Sequence, residues 1–137
     1  MPAIDGVKET CLYVEDLARA RQFYEGVLGL RVMLADTRFC AYDAGGCTVL
    51  LLFVRGGSAG GSVVPGGVIP PHDGIGGAHV GFAIARDQLP AWEELLAARA
   101  IPVESTVDWP RGGRSIYFRD PDRHLVELLT PGVWAIY

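Results

Sequence analysis

Long apolar runs, paired cysteines and basic clusters are all missing from this 137-residue chain, and each absence closes a class of function. The longest wholly apolar stretch, Val49 to Val54, is far too short to span a bilayer. The opening MPAIDGVKET lacks the basic-then-apolar pattern of a secretion signal. Cys11, Cys40 and Cys47 are an odd set with no C-x-x-C spacing, which fits reduced thiols better than a disulfide framework. Lys and Arg together number 12 against 16 Asp and Glu, for a net charge of −4, and the cations are scattered. No nucleic-acid footprint results. There is no Ser-His-Asp spacing, no phosphate loop and no dinucleotide fingerprint, since the glycines of GGSAGG (56–61) open no helix. The expectation is a cytoplasmic protein that binds neither membrane nor nucleic acid.

What is present is a core-forming chain, half hydrophobic and one fifth charged. VKETCLYV (7–14) has the composition of a strand. Asp16 is placed to cap a helix carrying Leu17, Ala20, Phe23, Tyr24, Val27 and Leu28 at helical spacing, with Gly29 to end it. Strands are predicted at 31–35, 38–43 and 47–54, the last two joined by a Gly45-Gly46 turn. Residues 55–78 are dense in Gly and Pro, without periodicity, and are expected to be a linker or mobile lid. The series then restarts. HVGFAIA (79–85) is a strand, Asp87 a cap, and Leu89, Trp92, Leu95 and Leu96 one helix face. Strands follow at 101–105, 115–119 and 124–130.

The order βαβββ therefore occurs twice, in modules 1–54 and 79–137. A seventy-residue slide sets ETCLYV on HVGFAI and so Glu9 on His79. Near the module ends, TVLLLF (48–53) meets HLVELL (124–129), pairing Leu51 with Glu127. Strand alternation puts Leu12 and Val14 under the first helix and Glu9, Cys11 and Tyr13 on the opposite face. In the second module Val80, Phe82 and Ile84 face the helix, leaving His79, Gly81 and Ala83 opposite. Taken singly, Glu9 reads as a solvated acid and His79 as a hydrogen-bonded structural residue. Glu127 is harder to set aside, because a carboxylate among Leu125, Val126, Leu128 and Leu129 is costly to bury unpaired. Two acids and an imidazole on equivalent faces are a set that a cation satisfies.

The repeat, LYVEDLARARQFYEGVLGL (12–30) and SIYFRDPDRHLVELLTP (115–131) resemble the vicinal oxygen chelate superfamily, which contains glyoxalase I, fosfomycin- and bleomycin-resistance proteins and extradiol dioxygenases. The likeness runs over nearly the whole chain. It implies an α+β fold in which two βαβββ modules form a cupped mixed sheet with helices on the convex side. It also implies one divalent metal ion (Mn, Fe, Zn, Ni or Mg) held by Glu9, His79 and Glu127. Many members have His where this chain has Glu9, and glyoxalase I has a fourth carboxylate where this chain has Leu51. The family turn DPDGN reads DPDRH here, with Arg123 and His124 in place of Gly and Asn. His124 is on the opposite strand parity from Glu127 and is expected at the surface.

The function so implied is Lewis-acid catalysis on a small oxygenated molecule, with Glu127 as a catalytic group. His72, in a glycine-rich segment able to fold over the site, is the second catalytic candidate, as an acid/base. Tyr13, Trp109, Arg114, Ser115 and Tyr117 are expected to bind substrate. A homodimer is expected, because superfamily members build their cups by pairing modules within or between chains. The alternative is a metal-free protein that sequesters an antibiotic or aromatic compound in its cavity, as bleomycin-resistance members do.

Overall fold

Strand pairing starts at Glu9, and alternating burial of the side chains sets in at Leu12. The computed structural model describes residues 1–137, and they fall into two units, Met1–Ile75 and Gly76–Tyr137. The first unit contains β1 (Glu9–Val14), α1 (Leu17–Gly26), β2 (Arg31–Ala35), β3 (Phe39–Asp43) and β4 (Val49–Val54), followed by a hairpin of β5 (Ser62–Val64) and β6 (Gly67–Ile69). The second contains β7 (His79–Ala83), α2 (Leu89–Ala98), β8 (Ser105–Asp108), β9 (Arg114–Arg119) and β10 (Leu125–Leu129). Each βαβββ module makes its own four-stranded mixed sheet, in the orders β1-β4-β3-β2 and β7-β10-β9-β8. The first and last strands of each module pair in parallel; the other pairings are antiparallel. No helix is long and apolar enough to cross a membrane.

The duplication read from the sequence is repeated in the register. Cys11 lies opposite Leu51 in the first sheet, and Gly81 lies opposite Glu127 in the second. Leu12 and Val14 are buried as expected, with Leu50, Leu52 and Tyr42, and α1 adds Ala20, Phe23 and Tyr24. The helix begins at Asp16, whose carboxylate accepts the Arg19 N–H at 3.0 Å. In the second module Ile116, Phe118, Val126 and Leu128 form the fully buried face.

Four local expectations are corrected. Asp87 does not cap α2: it lies in a 3-10 turn, Arg86–Gln88, and the helix opens at Leu89-Pro90, where a residue without an N–H loses no bond. The strand predicted at 101–105 starts only at Ser105. The Ile101 N–H closes α2 on Leu96, Pro102 has no N–H, and the first ladder bond is Glu104 N–H to the Tyr117 carbonyl. The 55–78 segment is no structureless linker, because it contains the β5–β6 hairpin and a tied base. There Gly56 N–H donates to Asp73, and His72 N–H to the Ser58 carbonyl.

His124 is the fourth. It is 1% exposed, and its Nδ1 accepts the Ala78 N–H at 2.8 Å. Parity directed it away from Glu127, and that direction is the core. The bond holds the chain one residue before His79. The preceding turn works without glycine because Arg123 takes a left-handed φ of 68°, while Asp120 accepts the N–H groups of Asp122 and His124. Such a conformation costs an L-residue roughly 1–2 kcal/mol. Arg123→Gly relieves it at some entropic cost in the unfolded chain. The expected net gain is about 0.5–1 kcal/mol, read as a higher denaturation midpoint with unchanged slope in urea.

Candidate functional site

Glu127 sits in the middle of β10, 8% exposed, with Tyr117 directly opposite on β9 and Gly81 opposite on β7. Gly81 makes the room. A Cβ there would lie 3.5 Å from Oε2 of Glu127 and 3.1 Å from the Leu129 side chain. A glycine inside a strand is the sequence sign of such a close approach.

Both carboxylate oxygens have partners. The Tyr117 hydroxyl donates to Oε1 at 3.0 Å, and Nε2 of His79 lies 3.1 Å from Oε2. The other ring nitrogen of His79, Nδ1, is 3.0 Å from the Leu125 carbonyl. A carbonyl only accepts, so Nδ1 carries the proton. Nε2 is then either a second N–H or a lone pair directed toward the same region as Oε2. In the neutral ring two lone pairs face each other at 3.1 Å, an arrangement that needs a proton or a cation between them.

Behind Glu127, Ser115 and Tyr117 share one face of β9. Trp109 Nε1 donates to Ser115 Oγ at 2.8 Å. Ser115 is fully buried beside Tyr117. Burial raises the Tyr117 phenol, the Glu127 bond raises it further, and the neighbouring Ser115 hydroxyl opposes them. The phenol thus stays protonated and fixes Oε1.

Arg114 is placed elsewhere. Alternation along β9 puts it on the opposite face from Ser115 and Tyr117, and its guanidinium pairs with Asp108 at 3.2 Å. The guanidinium expected to bind an anionic group is thus engaged by Asp108. Trp109 and Ser115, expected to meet substrate, are hydrogen-bonded to each other.

Glu9, Tyr13 and His72 belong to the first unit, where they line a cavity of about 540 Å³. Glu9 is the exposed first residue of β1. The Tyr13 hydroxyl lies 2.7 Å from Nδ1 of His72 and 3.7 Å from the Cys11 thiol, which donates to it. Burial first, then the Cys11 contact, push the Tyr13 phenol up to about 12. Gly74 lets the Tyr13 ring pass, since a Cβ there would come within 2.5 Å of it. No group of three or more His, Cys, Asp or Glu gathers to hold an ion.

The family model of the Glyoxalase/Bleomycin resistance protein/Dioxygenase superfamily matches residues 6–128. A metallothiol transferase FosB of Bacillus licheniformis is 28% identical over 130 residues, 94% of this chain and 77% of that protein. The solved structure of lactoylglutathione lyase from Agrobacterium tumefaciens has a TM-score of 0.87 and 31% identity, covering 98% of this chain and 99% of its own. The fosfomycin resistance protein FosX from Mesorhizobium loti shares the fold, with a TM-score of 0.63, 24% identity and 93% coverage of each chain.

The two hydrogen bonds make a graded prediction. Tyr117→Phe strips Oε1 of a buried carboxylate of its donor and is expected to cost about 1.5–3 kcal/mol. Trp109→Phe removes a neutral hydrogen bond to Ser115 worth about 0.5–1.5 kcal/mol. Chemical denaturation of both variants measures the order; equal losses would show that the Tyr117 bond to Glu127 is worth no more than a neutral one.

Proposed function

Because the chain belongs to the Glyoxalase/Bleomycin resistance protein/Dioxygenase superfamily, we propose that it is a divalent-metal-dependent enzyme acting on a small oxygenated molecule. The observation that carries this reading is the His79–Glu127 pair, with Nε2 and Oε2 3.1 Å apart. Two neighbouring donors on one divalent ion, each bonded at ~2.1 Å, stand about 3 Å from each other. A ligating histidine also typically donates its second N–H to a carbonyl or carboxylate, as His79 does to Leu125. The donor chemistry fits.

Glu9 is the proposed third ligand, through its equivalence with His79 in the repeat. A bound ion of this kind supplies Lewis acidity toward adjacent substrate oxygens. Nitrogen and carboxylate donors suit Mn, Fe, Zn or Ni, with Mg at the hard end. The protein's own part is orientation. Tyr117 holds Oε1, so that Glu127 presents Oε2 beside His79. His72, whose ring lines the cavity with Glu9, is the proposed acid–base group, held by Tyr13.

The second reading, sequestration of a small molecule without metal, is favoured by the largely apolar cavity of the first unit. Metal content separates the two. Protein purified without chelator or affinity tag is expected to carry one divalent ion per chain, and His79→Ala and Glu127→Gln to lose it while keeping their circular dichroism. Unchanged metal in His79→Ala would remove the assignment, and metal-free wild type would leave sequestration.

We also propose a homodimer. Met33 and Leu34, thrust outward by a bulge in the edge strand β2, are 56% and 61% exposed. Light scattering at micromolar concentration is expected to give twice the chain mass of 14.7 kDa. A single-chain mass would exclude it.

A further inference from the structure

The cavity of the first unit is built on three same-face rungs of one sheet. The outermost is aromatic. Phe53 on β4 lies opposite Tyr13 on β1 and opposite Phe39 on β3, so the three rings form a row across neighbouring strands. They are nearly parallel, with Tyr13 and Phe39 tilted 29° and 28° from Phe53 at centroid distances of 6.1 and 5.9 Å. His72 closes one side edge-on, 4.6 Å from Phe53 at 77°.

The middle rung is small and apolar: Cys11 opposite Leu51, and Leu51 opposite Ala41. Leu51 stands where the second module has Glu127, so no acid interrupts this floor. Glu9 begins the third rung, four residues from Tyr13, or about 13 Å along the strand. Val64 and Ile69 of the hairpin supply further apolar lining.

The one hydroxyl of the aromatic row is already engaged. The Tyr13 hydroxyl is held by His72 and Cys11, so the row offers ring faces rather than hydrogen-bonding groups. The cation on the cavity wall is Arg38. Its Nη1 is steadied by Ser62 Oγ at 3.2 Å and the Gly57 carbonyl at 3.5 Å, bonds that use one nitrogen of a three-nitrogen fork.

We propose that this cavity binds an acidic aromatic compound: a planar ring body stacked on Tyr13, Phe53 and Phe39, with its anionic group met by Arg38. A volume of about 540 Å³ suits a ligand of one or two rings with a short side arm. A small polar substrate would leave the aromatic row unfilled. The proposal deepens the enzymatic reading by naming its substrate class, and it rests on that reading only where it treats the bound compound as a substrate.

The test is calorimetric titration of metal-depleted protein with 2-naphthoate, the neutral 2-naphthylmethanol and the small anion glycolate. Naphthoate is expected to bind most tightly, the alcohol roughly tenfold more weakly, and glycolate without saturation. Phe53→Leu should weaken both naphthyl compounds about tenfold or more, and Phe39→Leu, at the half-buried start of β3, serves if Phe53→Leu is misfolded. Arg38→Gln should bring naphthoate down to the level of the alcohol and leave the alcohol unchanged. Glycolate binding as tightly as naphthoate, or naphthyl binding indifferent to the Phe variants, overturns the aromatic slot. Naphthoate binding indifferent to Arg38→Gln overturns the anion contact. Naphthoate binding by a wild type that carries no metal keeps the slot and removes the enzymatic reading; metal without naphthoate binding does the reverse.

Discussion

A carboxylate in the middle of a buried strand has to be satisfied on both oxygens, and the second module is arranged around that requirement. Glu127 has apolar neighbours on either side along β10. Its solvation is therefore replaced by Tyr117 on one oxygen and His79 on the other. The rest follows outward from this pair. Gly81 yields space, Trp109 holds the buried Ser115 hydroxyl beside Tyr117, and the Leu125 carbonyl selects the His79 tautomer. His124, one turn of chain away, anchors the residue before His79. Truncating Tyr117 or His79 leaves an oxygen of the buried carboxylate unpaired, which is more costly than the bond itself.

The same βαβββ framework has been put to a different use in the first module. Register positions that hold Gly81, Glu127 and Tyr117 in one sheet hold Cys11, Leu51 and Ala41 in the other. Exchange of an acid for leucine removes any need for a polar network there. The face can then remain apolar, and the aromatic row of Tyr13, Phe53 and Phe39 lies one rung further along. Two copies of one topology thus present a polar cluster and an apolar cavity. The difference lies in a few side chains per sheet, with the backbone pairing conserved between them.

Much of this was legible in residue order. The duplication, the strand faces and the Asp16 cap follow from periods of two and 3.6, which are local properties of the chain. The pairing of Leu51 with Glu127 was readable because both modules repeat the same register. His124 was misread because parity tells which residues share a face but not which face is covered. The hairpin in 55–78 was hidden by its glycines and prolines, since three-residue strands show no period. Phe39, Phe53 and Arg38 gave no signal of their own. The turn at Gly45-Gly46 implied a β3–β4 hairpin, and its register would have set Phe39 beside Phe53.

Sequence by itself determined the twofold βαβββ order and the anomaly of Glu127, because alternation and repeat are carried by neighbours along the chain; the family came from resemblance to other chains. Tertiary structure alone decided that Tyr117 and His79 answer that anomaly, that Arg114 faces away, and that His124 is core. It alone assembled Tyr13, Phe39 and Phe53 into one row. These are contacts between strands, whose partners depend on sheet order and register. No local pattern specifies a distance between residues forty positions apart; the ladder of backbone hydrogen bonds does.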